Sequence, residues 1–206
     1  MKLAGWLVLT RSLIQECISG GGETRLSFGA ICDRGRPVGT IVVQQLRQYP
    51  IDFGRSSTFV QTQDCSQVES AAHRLIRSTK YSGFIEAEYK LDTRTGRYKL
   101  LDVNPRLWGW HSIGPLAGVD FPYLQWKCLA GEAVVQCKGR IGVRWIKMSA
   151  DLRGMFDQIR RGTASPRDYL NSLRPPLAFA MFAVDDPLPA FFQFPFKVFQ
   201  QLRKCI

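Results

Sequence analysis

Side chains with oxygen donors alternate with apolar residues along two neighbouring stretches of the chain. In Phe84–Leu91 this alternation predicts a half-buried strand with one charged face. Arg97–Asn104 predicts a second strand. The oxygen donors on the face that the two strands would share are Glu86, Glu88, Asp102 and Asn104. Carboxylates and amides placed in this way could share a proton or bind a hard cation.

The turn between the two strands decides which donors face each other. If Arg94–Gly96 forms a three-residue hairpin loop, its glycine takes the left-handed position that such loops require. Glu88 then lies opposite Asp102, and Asn104 lies opposite Glu86. A four-residue loop would shift this register and undo the pairing.

Two carboxylates directly opposite each other repel, because their β-carbons lie only ~4.5–5.5 Å apart. One of them could hold a proton, as in an acid–base pair. A divalent cation such as Mg²⁺ could instead lie between them, with the amide oxygen of Asn104 as a further ligand. Both could also remain solvated beside arginines and lysines of the sheet surface. The hairpin residues alone leave these three arrangements open.

The end of the second strand carries a family resemblance. The segment L-L-D-V-N-P-R at Leu100–Arg106, followed by Leu107–Gly109, resembles the ATP-grasp superfamily. The match is closest to the carboxylate–amine ligase branch, which is also similar to carbamoyl-phosphate synthetase and biotin carboxylase. The resemblance implies that Arg106 neutralises charge near the reacting phosphoryl or acyl-phosphate group. The ligands it implies for the Mg²⁺ or Mn²⁺ ions that bridge the ATP phosphates are Glu88, Asp102 and Asn104. Asp102 stands where the family more commonly has glutamate.

An upstream segment, Leu13–Gly20, resembles the hinge of the same family. The resemblance implies that backbone groups of this segment bind adenine and that an acid just after the glycines binds the ribose hydroxyls. The residues expected to contact the nucleotide are Gln15, Glu16, Ile18 and Glu23.

Two arginines lie in the region that faces phosphate and substrate in the family. Either Arg47 or Arg55 is expected to hold the γ-phosphate or a substrate carboxylate, since a bidentate guanidinium suits both groups. The alternative is that both are arginines of a surface loop.

The resemblance covers about residues 10–190 and implies an α+β fold, the C-terminal ATP-grasp subdomain, with a mostly antiparallel sheet and packed helices. We expect residues 1–135 to form this lobe and residues 136–206 to form an extension that packs on it. The N-terminal lobe and the pre-ATP-grasp domain of complete members have no counterpart ahead of Leu13. A separate polypeptide or a longer reading frame would have to supply them.

Local patterns predict the elements that support the hairpin. Two apolar runs, Thr24–Cys32 and Val38–Leu46, flank a turn typical of a β-hairpin. Apolar residues at helical spacing predict a helix over Ser66–Thr79, with a capping box that begins at Ser66. Gly114–Gly131 resembles the helix that closes the family's subdomain.

The composition excludes several classes of protein. Of the 206 residues, 45% are hydrophobic, which fills a core and excludes intrinsic disorder. The net charge is +11, but the basic residues are dispersed, so we expect no specific nucleic-acid partner and a general suitability for polyphosphates. No apolar run approaches the ~18–20 residues of a membrane span. Met1–Thr10 is expected to form a strand and not a signal peptide.

The cysteines and the C-terminal tail complete these expectations. Six scattered cysteines without a C-x-x-C pair predict reduced thiols and a cytoplasmic protein. With only two histidines, a zinc site is not expected. The aromatic tail Phe191–Lys204 is expected to pack on the core, and the alternative is an interfacial helix at a membrane surface.

Together these features favour an ATP-dependent ligase. ATP would phosphorylate a small-molecule carboxylate, and an amine or thiol acceptor would attack the resulting acyl phosphate. A non-catalytic module that binds nucleotide and metal is the first alternative, and a basic membrane-surface protein is the second.

Overall fold

The computed structural model describes residues 16–51, 56–183 and 185–192. Its strands are β1 (Arg25–Asp33), β2 (Arg36–Tyr49), β3 (Ser56–Thr62), β4 (Gly83–Asp92), β5 (Arg97–Asn104), β6 (Cys137–Lys138), β7 (Arg144–Ile146) and β8 (Leu177–Phe179). Its helices are α1 (Ser66–Thr79), α2 (Gly114–Ala117), α3 (Phe121–Leu129), α4 (Met148–Arg160) and α5 (Pro166–Ser172), with short 3-10 helices at Gly22–Thr24 and His111–Ile113. The strand predicted at Met1–Thr10 lies outside the described residues.

The strands form one sheet in the order β5-β4-β1-β2-β3-β7-β8, and β6 pairs with β2. The pairs are antiparallel except for β2–β6 and β7–β8. This is the α+β fold with a mostly antiparallel sheet that the sequence predicts. Strands β6, β7 and β8 come from the segment after residue 135, so this segment also extends the sheet of the lobe.

The central hairpin and the first helix follow the sequence patterns closely. Strands β1 and β2 flank a turn in which Arg34 and Gly35 have φ values of 48° and 81°. Helix α1 has the predicted bounds and buries Val68, Ala72 and Ile76. The predicted capping box at its start is wrong, because the N-cap is Cys65 and no side chain caps the helix.

The predicted closing helix at Gly114–Gly131 is two helices. Gly118 ends α2 in the left-handed conformation with φ of 88°. The Asp120 side chain then caps α3 by accepting a hydrogen bond from the backbone N–H of Tyr123. The break therefore arises from a glycine stop followed by a new N-cap.

The sheet carries a hydrophobic core on each face. On one face, helix α1 packs on residues of β1, β2 and β4, including Phe28, Val42 and Ile85. On the other face, the chain after β5 folds back over the sheet and buries Trp108 and Trp110. The face of the β4–β5 hairpin that carries the oxygen donors lies on the side of this second core, where Trp110 contacts Glu86.

Within the described residues, no helix is long and apolar enough to cross a membrane. Of the aromatic tail, Phe191 and Phe192 are described, and both side chains are exposed. The remainder of the tail lies outside the described residues.

The five cysteines that the structure describes are free thiols, as predicted.

Candidate functional site

Strands β4 and β5 place the predicted residues opposite each other. Glu88 pairs with Asp102, and Glu86 pairs with Asn104, as the sequence predicts. The predicted three-residue loop is wrong, because Asp92 pairs with Arg97 and leaves a turn of four residues. A β-bulge between the two ends of the hairpin shifts the register by one residue and restores the predicted pairs.

Glu86 is a buried carboxylate of this hairpin face, with 6% of its surface exposed. Its Oε1 accepts a hydrogen bond from Trp110 Nε1 at 2.9 Å, and its Oε2 accepts one from Asn104 Nδ2 at 3.5 Å. Burial raises the pKa of Glu86 to about 7, and the nearby charge of Glu88 acts in the same direction. The sequence predicts Glu86 as an oxygen donor opposite Asn104, but the family resemblance implies no separate role for it.

The predicted ligands Glu88, Asp102 and Asn104 lie at the same end of the hairpin. Burial raises the pKa of Glu88 above its usual value, and the positive charge of Arg25 opposes this shift. Asp102 is exposed, and its Oδ1 accepts a hydrogen bond from the backbone N–H of Val103 at 2.9 Å. The structure therefore brings two carboxylates and one amide to one part of the sheet surface. We call Glu88, Asp102 and Asn104 the carboxylate patch.

Arg106 lies beside these residues at the exposed end of the hairpin. Its Nη2 donates a hydrogen bond to Asn104 Oδ1 at 3.3 Å. The rest of the guanidinium is exposed, with one further contact to the backbone oxygen of Leu107. A guanidinium in this position can reach an anion that binds against the carboxylates.

The chemistry of this donor set fits Mg²⁺. The donors are all oxygens, and Mg²⁺ in nucleotide sites typically binds one or two carboxylates together with phosphates and water. Burial is the main cause of the raised pKa values of Glu86 and Glu88, and neighbouring carboxylates, whose charge a cation would offset, add to both shifts. In the part of the chain that the structure describes, no three acidic, histidine or cysteine residues form a metal-binding group by themselves.

The predicted hinge lies against the turn of this hairpin. The Glu16 carboxylate contacts Arg94 Nη2 at 2.6 Å and Lys99 Nζ at 2.8 Å. Both cations also contact the buried Asp92 carboxylate, at 3.0 and 2.9 Å. These ion pairs hold Glu16 against the hairpin. Because the Glu16 side chain is engaged, the backbone of the hinge is the part that could bind a ligand.

A cavity of about 700 Å³ lies along this hinge. It is lined by the whole stretch from Glu16 to Gly22 and, across from it, by Arg25, Gln48 and Lys90. Its volume lies within the range of about 300–1,000 Å³ that is usual for small-molecule sites. Lys90 is two residues from Glu88 on the same strand, so the cavity adjoins the carboxylate patch.

Only some of the residues predicted to contact the nucleotide are seen to line this cavity. Glu16 and Ile18 line it, and Gln15 lies outside the described residues. Glu23 is exposed on a short 3-10 helix, where its carboxylate accepts a hydrogen bond from the backbone N–H of Gly21 at 3.1 Å. The ribose contact of Glu23 stays a prediction.

Among the predicted site residues that the structure describes, Arg47 has the contacts that differ most from its predicted role. Its guanidinium makes an ion pair of 2.8 Å with Asp151, donates a hydrogen bond to Ser172 at 2.9 Å and stacks on the Phe59 ring at 3.9 Å. This arrangement does not support the predicted contact with a phosphate or substrate carboxylate, because its donors are already engaged inside the protein. Arg55 lies outside the described residues.

The mostly antiparallel sheet with its packed helices corresponds to a portion of the ATP-grasp fold. The family model described as "ATP-grasp in the biosynthetic pathway with Ter operon" matches residues 30–149, more than half of the chain. The chain belongs to this family.

Solved structures of carboxylases resemble parts of the chain. Pyruvate carboxylase from Rhizobium etli is 22% identical over 58% of this chain and 13% of its own, with a TM-score of 0.46. The phosphoribosylaminoimidazole carboxylase ATPase subunit from Aquifex aeolicus is 12% identical over 59% of this chain and 36% of its own, with a TM-score of 0.46. The biotin carboxylase domain of 2-oxoglutarate carboxylase from Hydrogenobacter thermophilus, solved with MgADP and bicarbonate, is 16% identical over 58% of this chain and 28% of its own, with a TM-score of 0.44. The chain thus spans well under half the length of these proteins. No curated protein matches it.

The raised pKa of Glu86 predicts a pH-dependent stability. The folded protein binds a proton at Glu86 up to about pH 7, whereas the unfolded chain releases it near the usual pKa of 4.5. Stability from this group is therefore fully present below about pH 4.5 and is lost as the pH rises through about 7. The expected loss is of the order of 3 kcal/mol, since one pKa unit corresponds to about 1.4 kcal/mol.

Urea denaturation at several pH values, in buffer without divalent cations, measures this effect. Glu86→Gln should flatten the slope between the two pKa values, and the exposed Glu132→Gln should leave it unchanged. An equal slope in wild type and Glu86→Gln would contradict the assignment to Glu86.

Proposed function

We propose that the chain binds ATP with Mg²⁺ and belongs to an ATP-dependent ligase that activates a carboxylate as an acyl phosphate. The observation that carries the proposal is the pairing of Glu88 with Asp102 beside Asn104 and Arg106. Two acidic side chains held opposite each other on a sheet repel, and a cation, a proton or neighbouring basic side chains can compensate them. Membership of the ATP-grasp family favours the cation.

Each part of the site has a separate task in this proposal. Glu88, Asp102 and Asn104 would hold Mg²⁺, or Mn²⁺ in its place, against the terminal phosphates. The bound ion supplies positive charge that makes the γ-phosphorus easier to attack. Arg106 would neutralise the charge that spreads over the transferred phosphoryl group, a role for which a guanidinium is suited.

The hinge cavity would bind the base and the ribose. Adenine would lie against the backbone of Glu16–Ile18, which the contacts of Glu16 with Arg94 and Lys99 hold in place. Lys90 and Arg25 at the cavity wall place positive charge between the hinge and the carboxylate patch. This charge suits the phosphate chain that has to run from one to the other.

The reaction would proceed in two steps. A carboxylate oxygen of a small-molecule substrate attacks the γ-phosphorus, the bond to the β-γ bridging oxygen breaks, and ADP leaves. An amine or thiol then attacks the carbonyl carbon of the acyl phosphate and releases one proton to the solvent, and phosphate leaves with the electron pair of the broken C–O bond. A separate polypeptide that supplies an N-terminal lobe is part of this proposal, as is a cytoplasmic location.

Isothermal titration of the whole chain with ATP tests the site, in excess MgCl₂ and again in EDTA. We expect binding that depends on Mg²⁺ and that Asp102→Asn weakens by at least about tenfold, because the variant loses a charged ligand while its shape is kept. Asp33→Asn is the matched control, since Asp33 is a partly exposed acid at a strand end that pairs with Arg34.

The outcomes separate the alternatives. Equal affinity of wild type and Asp102→Asn would contradict the metal assignment. Binding of MgATP without release of ADP in the presence of carboxylate and amine would favour the non-catalytic module over the ligase.

A further inference from the structure

The Asn104 side chain has two neighbours that select one orientation of its amide. On one side lies the Glu86 carboxylate, which as an anion can only accept hydrogen bonds, 3.5 Å from Asn104 Nδ2. On the other side lies the Arg106 guanidinium, which can only donate, 3.3 Å from Asn104 Oδ1. A reversed amide would bring oxygen against carboxylate and NH₂ against guanidinium. The two contacts therefore keep the amide oxygen on the side away from Glu86.

Glu86 is itself held by an aromatic residue. Trp110 is 3% exposed, and its Nε1–H donates to Glu86 Oε1 at 2.9 Å. The Trp110 ring packs against Trp108 with 5.0 Å between ring centroids, so the indole is not free to turn. Because one carboxylate oxygen is engaged by Trp110, the other is left to face Asn104.

We propose that Glu86, anchored by Trp110, is a positioning residue that orients the Asn104 amide so that its oxygen and not its nitrogen faces the cation. This inference rests on the proposed Mg²⁺ role of Asn104. Glu86 contacts no ligand in this arrangement and acts through the amide. An amide nitrogen turned toward a cation would repel it, so the orientation decides whether Asn104 is a ligand at all.

The variant Glu86→Gln reverses the hydrogen-bonding pattern with little change in shape. Glutamine offers one oxygen and one NH₂ group. If the oxygen accepts from Trp110, the NH₂ faces Asn104 and favours the reversed amide. At about pH 8 we expect Glu86→Gln to weaken Mg²⁺-dependent ATP binding by about tenfold or more.

A charge-conserving double variant separates orientation from charge. In Glu86→Gln/Asn104→Asp the hairpin has the wild-type net charge, and a carboxylate replaces the amide. One oxygen of that carboxylate can accept from the new NH₂ group, and the other remains for the cation. We expect the double variant to recover MgATP affinity to within about threefold of wild type, a difference of about 0.7 kcal/mol or less.

Thermal denaturation without metal or nucleotide provides a second readout of the same contact. Asn104→Asp alone places a carboxylate opposite Glu86, so we expect its Tm to fall by about 4 °C or more. The double variant should recover most of this loss, because the pair again contains one donor and one acceptor.

These measurements distinguish the inference from the proposed function. If wild type does not bind MgATP, the proposed function fails, and the thermal cycle alone decides whether Glu86 and Asn104 are coupled. Wild-type affinity in Glu86→Gln would overturn the inference. Weak binding in both Glu86→Gln and the double variant would also overturn it, because charge or packing at Glu86 would then be the cause. Additive Tm changes would show that Glu86 does not hold the amide.

Discussion

Replacement of Asp151 by alanine is expected to lower the free energy of unfolding by about 3–5 kcal/mol. The Asp151 side chain is fully buried, pairs with Arg47 at 2.8 Å and accepts a hydrogen bond from Thr58 Oγ1 at 2.7 Å. Its removal leaves the guanidinium of Arg47, whose side chain is only 14% exposed, without its counter-charge. Urea denaturation followed by circular dichroism measures the loss.

Two further variants make this prediction specific. Asp168→Ala, at an exposed acid of helix α5, should change stability by less than about 0.5 kcal/mol. Arg47→Met/Asp151→Leu removes both charges and should recover a large part of the loss, since a buried pair can be replaced by apolar residues of similar volume. A loss below about 1 kcal/mol in Asp151→Ala would mean that Arg47 reaches water on its own.

Replacement of Trp108 by alanine is expected to cost about 3–5 kcal/mol of stability. The indole is 2% exposed and packs against Phe121 and Trp110, with ring centroids 4.9 and 5.0 Å away. It also covers Gly29 of β1 so closely that a Cβ atom there would overlap the ring. The cavity left by alanine would lie directly beside the Trp110–Glu86 contact, so MgATP binding should weaken as well.

The exposed Trp126 provides the matched control. It is 55% exposed and stacks on Tyr123 at the surface of α3, so Trp126→Ala should cost less than about 1 kcal/mol. Trp108 Nε1 has no hydrogen-bond partner among the described residues, so Trp108→Phe loses packing only and should be milder than Trp108→Ala. Equal losses in Trp108→Ala and Trp126→Ala would contradict the central place of Trp108 in the core.

Local patterns predicted the elements and the facing residues of the hairpin well. Helix α1 has the predicted bounds, and Glu88 faces Asp102 as predicted, because side-chain alternation fixes the face of a strand. The turn that leads to this pairing was predicted wrongly, because it has four residues and not three. The sequence contains no separate signal that a fourth turn residue and a bulge would compensate each other.

Contacts between distant parts of the chain could not be predicted. Arg47 and Asp151 are 104 residues apart, and nothing near Arg47 indicates that its charge is matched inside the protein. The raised pKa of Glu86 arises from burial under the segment that follows β5. That burial depends on tertiary packing, which a charged residue at an alternating strand position does not reveal.

The Arg47–Asp151 ion pair joins residues on the two sides of the C-terminal end of the family match. The region shared with the family ends at residue 149, and it includes Arg47 but excludes Asp151, Ser172 and Tyr169. A fragment cut at that boundary would keep the Arg47 cation and lose Asp151 and Ser172, the side chains that accept its hydrogen bonds among the described residues. It would also lose β8, the strand that covers the edge of β7. We therefore expect residues 30–149, which the family model matches, to be too short to fold stably by themselves. An expression fragment should extend at least through Phe179, the end of β8.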